Sequence, residues 1–124
     1  MLDTALVVPT IPVTDLDRAR TFYGEILGLR LLWENPASIR FGASGDSQLS
    51  VFRRGPTTAD HTLAHFEVAD IEATVRDLEA KGVPFLDYTE GPLQTTGHIA
   101  RIGPARGAWF QDPDGNTLGL RQAD

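Results

Sequence analysis

His65 and Glu67 stand two residues apart in the run Leu63-Ala-His-Phe-Glu-Val68. If that run is a strand, its alternate side chains point the same way, and the two groups share a face with Cα atoms about 7 Å apart. A neutral imidazole beside a carboxylate can act as a general base or hold a cation. The same pair can equally be the polar surface of a solvated or interfacial sheet. His61 and His98 fall in loop-like segments, are expected to be exposed, and matter only to a displaced metal site. Among the aromatics, Phe52 and Trp109 are candidates for a cavity wall, where flat rings stack on planar ligands; Trp33 is assigned to ordinary core packing. Arg40 and Arg121 can each pair with an anionic ligand or with Glu67, or remain solvated. Ser50 has no His-Asp arrangement to make it a nucleophile. Gly42-Ala-Ser-Gly-Asp46 lacks the lysine and following helix of a phosphate-binding loop.

Those side chains are positioned by a pattern that occurs twice. Ala5 to Val13 reads as a strand, and apolar residues then recur at Leu16, Ala19, Phe22, Ile26 and Leu27, the stripe of a helix with one buried side. Asp15 is its N-cap and Gly28 its stop. Leu63 to Val68 reads as a second strand, followed by Asp70 as N-cap, a stripe of Ile71, Val75 and Leu78, and Gly82 as stop. Val13-Thr-Asp-Leu-Asp and Val68-Ala-Asp-Ile-Glu thus mark an internal duplication. Short strands follow each helix: Leu29 to Trp33, Ile39 to Gly42 and Gln48 to Phe52, then Pro84 to Tyr88, Ala108 to Gln111 and Thr117 to Arg121. The turn Asp112-Pro-Asp-Gly-Asn116 joins the last two. Pro56 to Asp60 reads as the linker, and Glu90 to Pro104 as one long loop. The fold class is α+β, a single domain over 1–124 built from two tandem βαβββ modules, about 4–55 and 61–122.

Strand alternation assigns the faces. Leu49, Val51, Ala64, Phe66, Leu118 and Leu120 pack in the core, which leaves Gln48, Ser50, Phe52, Leu63, His65, Glu67, Thr117, Gly119 and Arg121 on the opposite, open face. The expected ligand-binding set is therefore Gln48, Phe52, His65, Glu67, Trp109 and Arg121.

Composition narrows the partners. In 124 residues with a formal charge of −6, 11 basic residues are scattered, which disfavours nucleic acid. With no cysteine, disulfides, thiolate zinc and thiol nucleophiles are excluded. No apolar run approaches the roughly 18 residues of a membrane span, so no membrane partner and a cytoplasmic, unprocessed protein are expected.

Two segments carry a family likeness. Pro12-Val-Thr-Asp-Leu-Asp-Arg-Ala-Arg-Thr-Phe-Tyr-Gly-Glu-Ile-Leu-Gly-Leu29 resembles the first strand-helix unit of the vicinal-oxygen-chelate superfamily, the relatives of glyoxalase, bleomycin-resistance proteins and extradiol dioxygenases. Trp109-Phe-Gln-Asp-Pro-Asp-Gly-Asn-Thr-Leu-Gly-Leu120 resembles its last hairpin. The resemblance implies curled mixed sheets around a concave ligand cavity, closed across a homodimer. It also places the divalent-metal ligands of the metal-dependent members at Val8, Gln48, Leu63 and Gly119, of which only Gln48 offers a donor. No metal and no cofactor are expected, as in the metal-free bleomycin-resistance branch. The leading expectation is a protein that sequesters a planar or cationic small molecule such as an antibiotic. The alternatives are a lyase, isomerase or dioxygenase-type enzyme of the same fold using His65 and Glu67 or a displaced metal site, and a regulatory or interaction module with a vestigial cavity.

Overall fold

The computed structural model describes all residues, Met1–Asp124, as two compact units, Met1–Thr58 and Ala59–Asp124. Their boundary falls inside the expected linker. Each unit is a mixed sheet with one helix against it, so the α+β class and the duplicated plan are present.

In the first unit, β1 (Thr10–Val13) pairs in parallel with β4 (Gln48–Arg53), and β3 (Ser38–Gly42) and β2 (Arg30–Asn35) follow antiparallel, in the order β1-β4-β3-β2. The strand expected from Ala5 is shorter than its apolar run. Only Thr10–Val13 finds partners, Leu2–Thr4 forms a 3₁₀ turn, and Leu6 and Val7 are exposed. Between β1 and β2, α1 (Leu16–Ala19) runs on as a π-helical stretch over Arg20–Ile26. The Asp15 carboxylate caps it by accepting from the Arg18 N–H at 3.1 Å. Leu27 N–H donates to Phe22 C=O and Leu29 N–H to Tyr23 C=O across Gly28, which sits at φ 77° and closes the end. The wider winding lets the neighbours Phe22 and Tyr23 both turn inward, where they join Ile11, Ile39, Phe41 and Val51 in the core.

The second unit repeats the plan and adds a strand. β5 (Thr62–Glu67) pairs in parallel with β9 (Thr117–Ala123), which pairs antiparallel with β8 (Ala105–Gln111); β6 (Phe85–Leu86) and β7 (Ala100–Ile102) both pair with β8. Three sequence expectations are corrected here. The strand Pro84 to Tyr88 contracts to two residues, and β8 begins at Ala105 rather than Ala108. The segment read as one long loop contains β7, folded back on β8 by the two-residue turn Gly103-Pro104 with Gly103 at φ 54°. The helix α2 (Ile71–Ala80) is capped as α1 is, Asp70 accepting from the Ala73 N–H at 3.0 Å. Its Ile71, Val75 and Leu78 are buried, as are Ala108, Phe110, Leu118 and Leu120 on the sheet. The β8-β9 turn is held by Asp112, whose buried carboxylate accepts from the Asp114 and Asn116 N–H groups at 2.9 Å each and from Asn116 Nδ2 at 2.8 Å.

Candidate functional site

The predicted six residues divide between the units: Gln48 and Phe52 lie on β4, and His65, Glu67, Trp109 and Arg121 lie on β5, β8 and β9. The structure brings the second group together on one face of the second sheet, opposite α2. Parallel register sets His65 beside Gly119 and Glu67 beside Arg121, and antiparallel register sets Gly119 beside Trp109. Directly paired residues project to the same side. The Glu67 carboxylate is shared: Oε1 accepts from Arg121 Nη1 at 2.7 Å, and Oε2 lies 2.6 Å from His65 Nε2. These bonds, His65's first and Arg121's second, hold the Glu67 carboxyl below its usual range. In the tautomer whose Nε2–H donates to Glu67, Nδ1 is the ring nitrogen left to accept. The side chains of His65 and Glu67 are a little over half exposed.

Across the strand from this charged group stands an aromatic one. Trp109 is half-buried and meets Tyr88 edge to face, ring centroids 5.4 Å apart. Between the groups lies Gly119, where an added Cβ would approach His65 Cβ to 3.2 Å. A neighbouring glycine, Gly107, has Ile102 Cδ1 only 2.7 Å from where its Cβ would be and a Trp109 ring atom at 3.6 Å. At about 4.8 Å per strand spacing, the His65 and Trp109 Cα atoms are roughly 10 Å apart, with no side chain from Gly119 between them. The result is an aromatic pair on one side of Gly119 and a compensated His-Glu-Arg group on the other, on a single sheet face. Strand alternation identified four of these residues. Tyr88 and Ile102 were missed: Tyr88 lies past the end of β6, where alternation assigns no face, and Ile102 lies on β7, inside the segment read as a loop.

On the first sheet Gln48 is not free. Its Oε1 accepts from Arg40 Nη1 at 2.9 Å, and the Arg40 guanidinium lies over the Trp33 ring, 5.0 Å from its centroid. Trp33 is 46% exposed on the outer strand β2, which corrects its assignment to the core: an edge strand has no neighbour to cover it. Phe52 is half-buried, in register with Pro12 and Ser38.

The residues at the metal positions do not fit a divalent ion. Val8, Leu63 and Gly119 supply no donor atom, and the one carboxamide oxygen, on Gln48, is already engaged by a cation of the chain itself. Leu63 also sits at a break in the β5-β9 register.

Of the loop histidines, His61 is exposed as expected, 3.7 Å from Asp60. His98 is not. It adopts φ 71°, stacks on Phe85 at 5.2 Å, and bonds Asp87 Oδ1 through Nδ1 at 2.8 Å and Glu79 Oε2 through Nε2 at 2.5 Å. The carboxylates, Asp87 foremost, raise its pKa. Both ring nitrogens are thereby occupied in fastening the loop to α2.

This βαβββ duplication with its Asp-capped helices is the plan of one family, and the chain belongs to it: residues 5–120 match the model of the Glyoxalase/Bleomycin resistance protein/Dioxygenase superfamily. Among solved structures, the chain is similar to an antibiotic binding protein, TnmS3, from Streptomyces sp. CB03234, with 27% identity over 100% of this chain and 99% of that one and a TM-score of 0.76. A glyoxalase/bleomycin resistance protein from the same organism is 28% identical over 95% of this chain and 100% of that one, with a TM-score of 0.70. Lactoylglutathione lyase from Agrobacterium tumefaciens shares the fold at 20% identity, covering 96% and 93% of the two chains, with a TM-score of 0.73. No helix of the chain is long and apolar enough to cross a membrane.

Proposed function

We propose that this protein binds and sequesters a flat small molecule, such as an antibiotic, in the slot between Trp109 and the His65-Glu67-Arg121 group. The observation that carries the reading is the aromatic pair, Trp109 with Tyr88, set on the same sheet face as the His65-Glu67-Arg121 group with Gly119 between them in the register. Stacking on such a pair costs little side-chain entropy. Similarity to an antibiotic binding protein supports the reading. Because Arg121 and His65 already satisfy Glu67, a cationic ligand gains from that carboxylate chiefly by displacing Arg121.

A titration of flat polycyclic aromatics such as acridine and phenazine, followed by tryptophan fluorescence, tests the proposal. Binding should quench the fluorescence, and Trp109→Ala should weaken it by about 1–3 kcal/mol, the scale of a lost aromatic contact. The compound should be recovered chemically unchanged. Affinity indifferent to Trp109 contradicts the reading.

The His65-Glu67 contact supports a second reading, an enzyme in which Glu67 orients His65 and Nδ1 accepts a proton. Turnover of a bound compound that His65→Ala abolishes while affinity survives would establish it over the first. We also propose a cytoplasmic homodimer, favoured by the exposed Leu31 and Leu32 on the outer strand β2.

A further inference from the structure

We propose that Arg40 forms a separate oxyanion subsite on the first sheet, taking a carboxylate or ionised phenol attached to a flat ring. Four arginines are half-buried: Arg20, Arg40, Arg106 and Arg121. Three of them meet carboxylates, Arg20 with Asp17 and Glu34, Arg106 with Glu72, and Arg121 with Glu67. Arg40 meets none. Its only hydrogen bond runs from Nη1 to Gln48 Oε1 at 2.9 Å, a neutral acceptor, and its Nε is buried without any partner. A buried, unbonded N–H on a cation is costly unless something outside the protein supplies the acceptor.

The geometry indicates which acceptor. Gln48 and the Trp33 ring fix the guanidinium from two sides, one by a hydrogen bond and one by stacking. With Nη1 spent, Nε and Nη2 remain, the pair that a carboxylate takes side-on through two parallel bonds. Ser50 stands directly across from Arg40 in the β3-β4 register and adds a hydroxyl to the same face. Trp33, on the outer strand and nearly half exposed, lies against the guanidinium and is the group best placed to shift onto an incoming ring. Gln48, the one family metal position with a donor, thus holds a guanidinium fixed in place of an ion. The subsite is built from residues of the first unit alone and does not depend on the Trp109 slot.

The test compares 2-naphthoate with 2-naphthylmethanol, equally flat but differing in charge. Calorimetry on the wild-type protein should show the carboxylate binding at least tenfold more tightly, with the preference shrinking as salt rises. Arg40→Gln should erase the preference, and Arg54→Gln, at an exposed site, should leave it intact. If Arg40→Gln does not fold, the wild-type protein still decides: the Arg40 Nε–H resonance should move with naphthoate and stay still with the alcohol. No binding of naphthoate, equal affinity for both probes, a preference surviving Arg40→Gln, or an unmoved Nε–H resonance overturns the proposal. Because the readout is a ratio between two flat probes, its failure is distinct from failure of the Trp109 slot, which would weaken both equally.

Discussion

Replacing His98 with Asn should make the stability of the second unit less dependent on pH. Asn tolerates the left-handed backbone found at His98, φ 71°, so His98→Asn removes the ring while sparing the turn. In the wild type both ring nitrogens face carboxylate oxygens, an arrangement only the doubly protonated imidazolium satisfies with two donors. Asp87, and then Glu79, accordingly raise the His98 pKa above its usual value. A pKa raised in the folded state contributes stability that is fully present below the unfolded value, about 6.5, and is lost as pH climbs through the raised one. The His98 side chain is 25% exposed, but Glu79 and Asp87 are 56% and 51% exposed, so each bond is discounted toward the surface range. That leaves on the order of 1–2 kcal/mol for the pair. Urea denaturation should show His98→Asn less stable than wild type by that amount near pH 5.5, with the gap narrowing as pH rises through the raised His98 pKa. A gap that is constant, or that widens as pH rises, refutes the imidazolium clamp.

Other outcomes follow from the same geometry. Asp112→Ala strands the N–H groups of Asp114 and Asn116 in a buried turn and should cost about 2–4 kcal/mol, read from the urea midpoint; a loss under about 1 kcal/mol would mean the turn does not depend on that carboxylate. Light scattering at micromolar concentration should give about twice the 13.5 kDa chain mass, and a clean monomer would contradict the proposed dimer. Elemental analysis after growth with nickel, zinc, manganese or iron should find no stoichiometric ion. One ion per chain surviving dialysis would overturn the judgement that Val8, Leu63, Gly119 and the engaged Gln48 do not fit a metal.

What the residues revealed in advance were features governed by local chemistry. Asp15 and Asp70 cap their helices because a carboxylate just ahead of an apolar stripe has free N–H groups to accept from, and the repeat of that device exposed the duplication. Alternation on β5 and β9 put His65, Glu67 and Arg121 on one face because period two leaves little choice when Leu118 and Leu120 must be buried. Features decided by distant partners were hidden. Strand β7 lies in a run rich in glycine and proline, and only its pairing with β8 makes it a strand. Tyr23 becomes core because the helix widens, and Trp33 is exposed because β2 ends its sheet. The His98 clamp joins residues 11 and 19 positions away. The contact of Arg40 with Gln48 depends on the β3-β4 register, which no spacing along the chain discloses.

The most direct test of the proposed binding face is chemical-shift mapping with acridine or phenazine on the isotope-labelled protein. The indole N–H of Trp109 and the backbone amides of Gly107 and Gly119 should move together and saturably, followed by the His65 ring. Saturable shifts confined to the α2 side of the sheet, around Arg76, Arg101 and Arg106, with Trp109 and Gly119 unmoved, would contradict it.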